Sequence, residues 1–179
     1  GGGVAAFGAN FFGREAAMRV EHPFSPIFDR HSAVLILGSM PSPATRERGF
    51  PYAHPQNRFW PVMEALFAQP VPSSMEQSRA FLLRNRLALW DVLHSCEIEG
   101  ASDASIQTPV PNDLSPILQG GNIRAIFTTG GAAHRLYRRH LLPLTGLPDI
   151  ALPSTSPANA KMRLPELVEH YRLLLDYLT

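Results

Sequence analysis

Two proline-rich loops and one isolated carboxylate hold most of the residues with which this chain could do chemistry. The first loop, GSMPSPATRERGFPYAHPQNRFW at 38–60, follows the apolar run VLIL at 34–37. A run this short and aliphatic reads as a buried strand, and open α/β sheets bind ligands at the carboxyl ends of such strands. The second loop, PSTSPANA at 153–160, follows another strand-like run at 149–152. Between them Asp91 interrupts the apolar stretch LALWDV at 87–92. An unpaired buried charge is costly, so this aspartate either caps a turn, pairs with an arginine or serves a pocket.

Several familiar chemistries are missing. There is no Walker P-loop, no G-x-S-x-G elbow, no H-E-x-x-H and no G-x-G-x-x-G in the sequence. The seven histidines form no ligand pair at helical spacing, so no metal is expected. Gly130 and Gly131, between a strand-like run and a helical one, could hold a phosphate at a helix start, although such a pair usually serves only a tight turn. The single cysteine, Cys96, has no disulfide partner, which suits a reducing cytoplasm. Net charge is +1, from 16 Lys plus Arg against 15 Asp plus Glu, so any nucleic-acid contact must be local. Candidates are Arg46, Arg48 and Arg58 in the first loop, Arg135, Arg138 and Arg139 on a later helix, and Lys161 with Arg163 after the last loop; solvated helix faces are the bland alternative.

The elements that must position these residues alternate. With 179 residues, 45% hydrophobic and 17% charged, one globular domain is expected over 22–179, preceded by a flexible lead at 1–21 in which Met18 is a candidate natural start. No run approaches the roughly 20 apolar residues of a membrane span, and no signal peptide stands out, so an intracellular, cytoplasmic location is expected. Strands are predicted at 34–37, 87–92, 125–128 and 149–152. Helices are predicted at 61–67, at 73–86 behind a capping box from Ser73 or Ser74, after Asn112 or Asp113, at 132–141 and at 164–178. The polar stretch 95–112 reads as a long loop. Strand and helix alternation of this kind predicts a three-layer α/β/α domain on a mainly parallel sheet of about four strands.

The first loop resembles the first motif of the uracil-DNA glycosylase superfamily, and its YAHPQNRFW run at 52–60 is the most specific part of that likeness. PSTSPANA stands where that superfamily has its second motif. With LWDVLHSCEIEGASDASI between them, the chain is most similar to the DNA-deoxyinosine, or hypoxanthine-DNA, glycosylase branch, over about 34–178.

The resemblance implies a monofunctional base-excision repair enzyme that flips a deaminated base out of DNA and hydrolyses its glycosidic bond without metal or cofactor. Hypoxanthine is the expected base; uracil, or a lesion-binding module without activity, are the alternatives, the last motivated by Met40 standing where relatives carry a water-positioning asparagine. With that place taken by a thioether, catalysis is expected to fall to Asn57, whose amide can accept from water and donate to a base, unless it merely caps the next helix. Tyr52 is expected to stack on the flipped base, with Gly38, Ser39, Met40 and Pro41 beside the base and Asp91 reading an N1–H. Ser154, Thr155, Ser156, Pro157, Ala158 and Asn159, with Lys161 and Arg163, are the expected DNA contacts. The implied partner is DNA carrying deaminated bases, with no membrane and a monomeric protein.

Overall fold

The computed structural model describes residues 18–98 and 106–179. The lead at 1–17, and Gly100, Ser102, Asp103 and Ser105 of the expected polar loop, lie outside the described residues. A four-stranded parallel sheet in the order β3-β2-β6-β7 is built from β2 (Val34–Gly38), β3 (Leu87–Asp91), β6 (Ala125–Thr129) and β7 (Ile150–Leu152). These are the four strands anticipated from the apolar runs.

Side-chain alternation along β2 divides the interior. Val34 and Ile36 face one core with Phe127 of β6, against α2 (Phe59–Phe67), α3 (Met75–Arg84) and α7 (Leu164–Tyr171). Leu35 and Leu37 face the other, against Leu93, Ile117 and Tyr137. Every residue of β2 is buried, as a central strand covered on both faces must be. The result is the expected three-layer α/β/α arrangement.

The polar stretch after β3 departs from expectation. It contains β4 (Leu93–Ile98) and β5 (Gln107–Pro111), which with β1 (Met18–Glu21) make a separate antiparallel sheet in the order β1-β4-β5. Met18–Glu21 therefore belongs to the folded domain rather than to a lead, pairing residue for residue with Ser95–Ile98 of β4. Pro109 and Pro111 obscured β5 in the sequence; an edge strand tolerates them because one side of its backbone is unpaired. After β1 the chain runs beside β3, where Ile27 exchanges both backbone hydrogen bonds with Leu89 and so closes that edge of the parallel sheet.

The first loop is also more ordered than its prolines suggested. It contains the helix α1 (Pro43–Arg48), opened by Ser42, whose hydroxyl accepts from Thr45 N–H, and closed by Gly49 at φ 80°. Helix α2 starts at Phe59, two residues before the predicted Pro61. At α3 it is Ser74 that caps, accepting from Gln77 N–H, while the Gln77 side chain accepts from Ser73 N–H. Asp113 accepts from Ser115 N–H at the start of α4 (Ser115–Gly120). The predicted helix at 132–141 is α5 (Gly131–Leu136) continued by a π-helical turn, Tyr137–Leu141, and by α6 (Leu142–Thr145). The last helix turns 3₁₀ over Arg172–Tyr177.

Candidate active site

The carboxyl ends of β2, β3, β6 and β7 open into a cavity lined by both loops. Gly38, Ser39, Met40, Pro41, Tyr52, Asn57 and Asp91 all line it, as do Ser154, Thr155 and Ser156. Residues up to 118 positions apart in the chain thus meet where a doubly wound sheet places ligands. Phe24, Arg46 and Thr129 line the same cavity and had not been singled out for it.

Asn57 is held at its oxygen. Its Oδ1 accepts from Phe59 N–H and from Thr155 Oγ1, both at 2.9 Å. The first bond ties the amide to the start of α2, so the capping role weighed from sequence is real. With both lone pairs committed, the group that remains for a ligand is the Nδ2 amide, a donor. Thr155 is correspondingly buried, at 2% exposure, and its hydroxyl holds Asn57 instead of facing a phosphate.

Arg58, one residue on, is a clamp rather than a solvated charge. Its guanidinium donates to the carbonyls of Ser156 and Asn159 at 2.9 Å each and to that of Met162, and its N–H donates to Thr155 O at 3.0 Å. The two loops are therefore stitched together by the residue adjoining Asn57. Within the second loop Asn159 donates to Ser154 O, while Ser154 and Ser156 hydroxyls accept from Ser156 and Ala158 N–H. Ala158, Lys161 and Arg163 are exposed. Tyr171 anchors the start of this loop by donating to Pro153 O at 2.6 Å; burial pushes its hydroxyl well above the ordinary tyrosine pKa, with Tyr52 adding to the rise and Arg58 opposing it.

Tyr52 sits at φ 55°, a left-handed conformation that a bulky residue keeps only where its surroundings enforce it. Phe59 stacks on its ring at 4.0 Å with 11° between planes, and its hydroxyl shares a hydrogen with Thr129 Oγ1 at 3.1 Å. The ring is thus a fixed platform backed by the core.

Asp91 ends β3 directly opposite Gly38 in the parallel register. Asn112 fixes its backbone by donating to Asp91 O at 2.9 Å and Leu93 O at 3.0 Å. The carboxylate folds over Gly38, where a Cβ would lie 2.4 Å from Asp91 Oδ1 and 3.2 Å from the Tyr52 hydroxyl. Glycine at 38 is what admits the carboxylate to the cavity. Asp91 pairs with a histidine, His22, whose Nε2 lies 2.7 Å from Oδ2, and not with an arginine as one reading had it. Nothing in the sequence flagged His22, which precedes a proline-punctuated stretch.

Arg46 reaches the cavity from α1 and donates to Pro41 O. Burial lowers its pKa and Cys96 acts in the opposite sense, but a guanidinium stays charged in either case. Met40, 9% exposed, packs into the core beneath the cavity while also lining it. Gly130, at φ 95°, brings α5 against Ser154, where a Cβ would lie 3.2 Å from the serine's own; turn geometry accounts for the glycine. Arg135 and Arg139 line a separate groove beside β5, with Gln107 and Thr108. Among the described residues, no helix is long and apolar enough to cross a membrane.

This geometry agrees with what the chain resembles. Residues 25–178 match the family model described as the uracil DNA glycosylase superfamily. A hypoxanthine DNA glycosylase of Methanosarcina barkeri (strain Fusaro / DSM 804) is 33% identical over 93 residues, 51% of this chain and 59% of that protein. Another so named, from Methanosarcina acetivorans, is 29% identical over 144 residues, 79% of this chain and 90% of the relative. The solution NMR structure of a Methanosarcina acetivorans protein described as a candidate uracil DNA glycosylase superposes with a TM-score of 0.70 at 29% identity, covering 87% of this chain and 98% of that one. With the family model spanning both loops and every strand of the parallel sheet, the chain belongs to the uracil DNA glycosylase superfamily.

Proposed function

We propose that this chain is a monofunctional DNA glycosylase that removes hypoxanthine from DNA in base-excision repair, working inside the cell as a monomer. The observation that carries the reading is Asn57, held at its oxygen by Phe59 N–H and Thr155 so that its amide N–H groups serve the cavity beside Tyr52 and Asp91. A flipped purine stacks on the Tyr52 ring. Asn57 donates to O6, and the Asp91 carboxylate accepts from N1–H. The Asn57 contact is worth most in the transition state, when negative charge builds on the departing base, whereas the Asp91 contact serves recognition of the intact lesion.

In the reaction, water adds at C1′ as the N9–C1′ bond breaks. The bonding pair leaves with the base, and the proton lost by the water ends on the released hypoxanthine. Exposed Lys161 and Arg163, with the serines and backbone of the second loop, bind the phosphates on either side of the flipped nucleotide, and Ala158 at the loop's exposed tip enters the gap it leaves. A second reading, uracil excision, is favoured by the superfamily match and by the description of the M. acetivorans structure. Uracil presents the same acceptor and donor edge through O4 and N3–H.

Single-turnover base release from duplexes differing only in hypoxanthine or uracil, scored by alkaline strand cleavage, tests this directly. Hypoxanthine release that disappears in Asn57→Ala is the expected outcome. Uracil release alone would replace the hypoxanthine reading by the second, and duplex binding without release would leave a lesion-binding module.

A further inference from the structure

The pair behind the cavity carries an inference of its own. The His22 side chain is 1% exposed, and Nε2 lies 2.7 Å from Asp91 Oδ2. Its other nitrogen, Nδ1, accepts from Phe24 N–H at 3.4 Å. A ring nitrogen that accepts a backbone N–H carries no proton, so the proton of the neutral imidazole is on Nε2 and is donated to Asp91. The ring is fixed in place as well. Phe24 and Trp90 meet it edge-on, with centroids at 4.6 and 5.6 Å, and Trp90 Nε1 donates to Phe24 O at 3.2 Å. His22 N–H donates to His94 O at 2.7 Å, continuing the β1–β4 ladder, so the antiparallel sheet delivers the histidine to the end of β3.

With Oδ2 committed to His22, Oδ1 is the oxygen that lies over Gly38 at the cavity. We propose that His22 is a positioning residue that holds Asp91 Oδ1 over the cavity as an acceptor, and that the His22–Asp91 pair is what lets the cavity take hypoxanthine and refuse adenine. The inference rests on the glycosylase reading above. Hypoxanthine presents an acceptor at O6 beside a donor at N1–H; adenine presents an amino donor beside an acceptor at N1. A carboxylate has no proton for adenine N1, and the Asn57 amide would meet the adenine amino group donor to donor. Both contacts therefore change sign between the lesion and the normal base from which it arises, and a site that leaves buried polar groups unpaired discriminates strongly. The pair does not reject guanine, which shares O6 and N1–H with hypoxanthine; the guanine 2-amino group must be met elsewhere in the cavity.

The test compares His22→Leu, which keeps bulk but removes the donor, with His22→Gln, whose side-chain N–H reaches the position of Nε2. Single-turnover release is followed on hypoxanthine, uracil and adenine duplexes, with thermal melting of each variant alongside. Expected is a loss of about 10- to 100-fold on hypoxanthine for His22→Leu, a hypoxanthine-to-adenine ratio that narrows because the carboxylate is no longer held over Gly38, and recovery of both in His22→Gln. A His22→Leu protein that keeps its rate overturns the proposal, as does one in which both variants lose rate with their melting temperature while the ratio stays fixed. A parent that releases only uracil overturns the hypoxanthine reading and this proposal with it, whereas an unaffected His22→Leu beside a parent active on hypoxanthine overturns the proposal alone. A parent that releases neither base overturns both.

Discussion

Among the described residues, two histidine–aspartate pairs close at the same 2.7 Å, yet they face opposite ways. In one, His22 is 1% exposed and Asp91 12%, so the histidine stands behind and the carboxylate looks into the cavity. In the other, Asp149 is 3% exposed and His134 32%, so the carboxylate is the buried member, and it also accepts from Thr128 at 2.6 Å. The second pair ties α5 to the sheet next to β7, and neither member lines the cavity. An identical contact is thus a structural tie in one place and, in the function proposed, a chemical tool in the other. What separates them is which carboxylate reaches the cavity: Asp91 lines it and Asp149 does not.

The sharpest way to break the comparison is to neutralise each aspartate. Asp91→Asn keeps the shape but gives the cavity an amide in place of an ionised acceptor, and should lower hypoxanthine release by about 100-fold, the worth of a charge-assisted hydrogen bond, with a small change in melting temperature. If Asp91→Asn and Asp91→Ala both leave base preference where it was, Asp91 does not read the base. Asp149→Ala should do the converse: it strands the Thr128 hydroxyl and costs about 2 kcal/mol in denaturant titration, while release stays within about threefold of the parent. A large loss of activity without loss of stability at Asp149 would erase the distinction between the two pairs.

Asn57 and Thr155 extend the same logic, because the partner Thr155 holds one end of an amide that lines the cavity. Thr155→Val removes one of the two bonds that hold Asn57 Oδ1, freeing the amide to rotate. Release should fall about 10-fold, the equivalent of one hydrogen bond's worth of positioning, and the start of α2, still tied by Phe59 N–H, should melt as before. An unchanged rate would mean that the Phe59 bond alone orients the amide.

The parallel sheet was legible because central parallel strands are buried on both faces and read as unbroken apolar runs, as VLIL does at 34–37. Helix α1 was legible in principle. Ser42, Pro43 and Gly49 are its cap, first turn and terminator, but three prolines nearby pointed to a loop. The antiparallel sheet was hidden by polar residues on its exposed face and by prolines on its edge. The family resemblance singled out Tyr52 and Asn57, and an interrupted apolar run singled out Asp91; all three line the cavity, but the sequence did not show which atoms of Asn57 and Asp91 are already committed, since that is set by partners far away in the chain. Thr155 meets Asn57 across 98 residues, and His22 meets Asp91 across 69. A histidine in a proline-punctuated segment carries no local pattern that names its partner.

Tyr171 gives the smallest effect and a control for the rest. Both ends of its bond to Pro153 O are structural, so the comparison predicts the behaviour of Asp149, not that of Asp91. Tyr171→Phe should cost about 1 kcal/mol and leave base preference alone. The pH dependence has a definite sign. Burial raises the folded-state pKa well above tyrosine's ordinary 10.0, so the deprotonated form is disfavoured in the native state. Stability from this group is complete below the unfolded-state value and is lost as pH rises from there through the folded one. Denaturant midpoints measured on the alkaline side should therefore fall more steeply in the parent than in Tyr171→Phe, which has no proton to lose. Parallel slopes in the two proteins would show that the hydroxyl is not held in its neutral form by burial, and would remove Tyr171 as the anchor of the second loop.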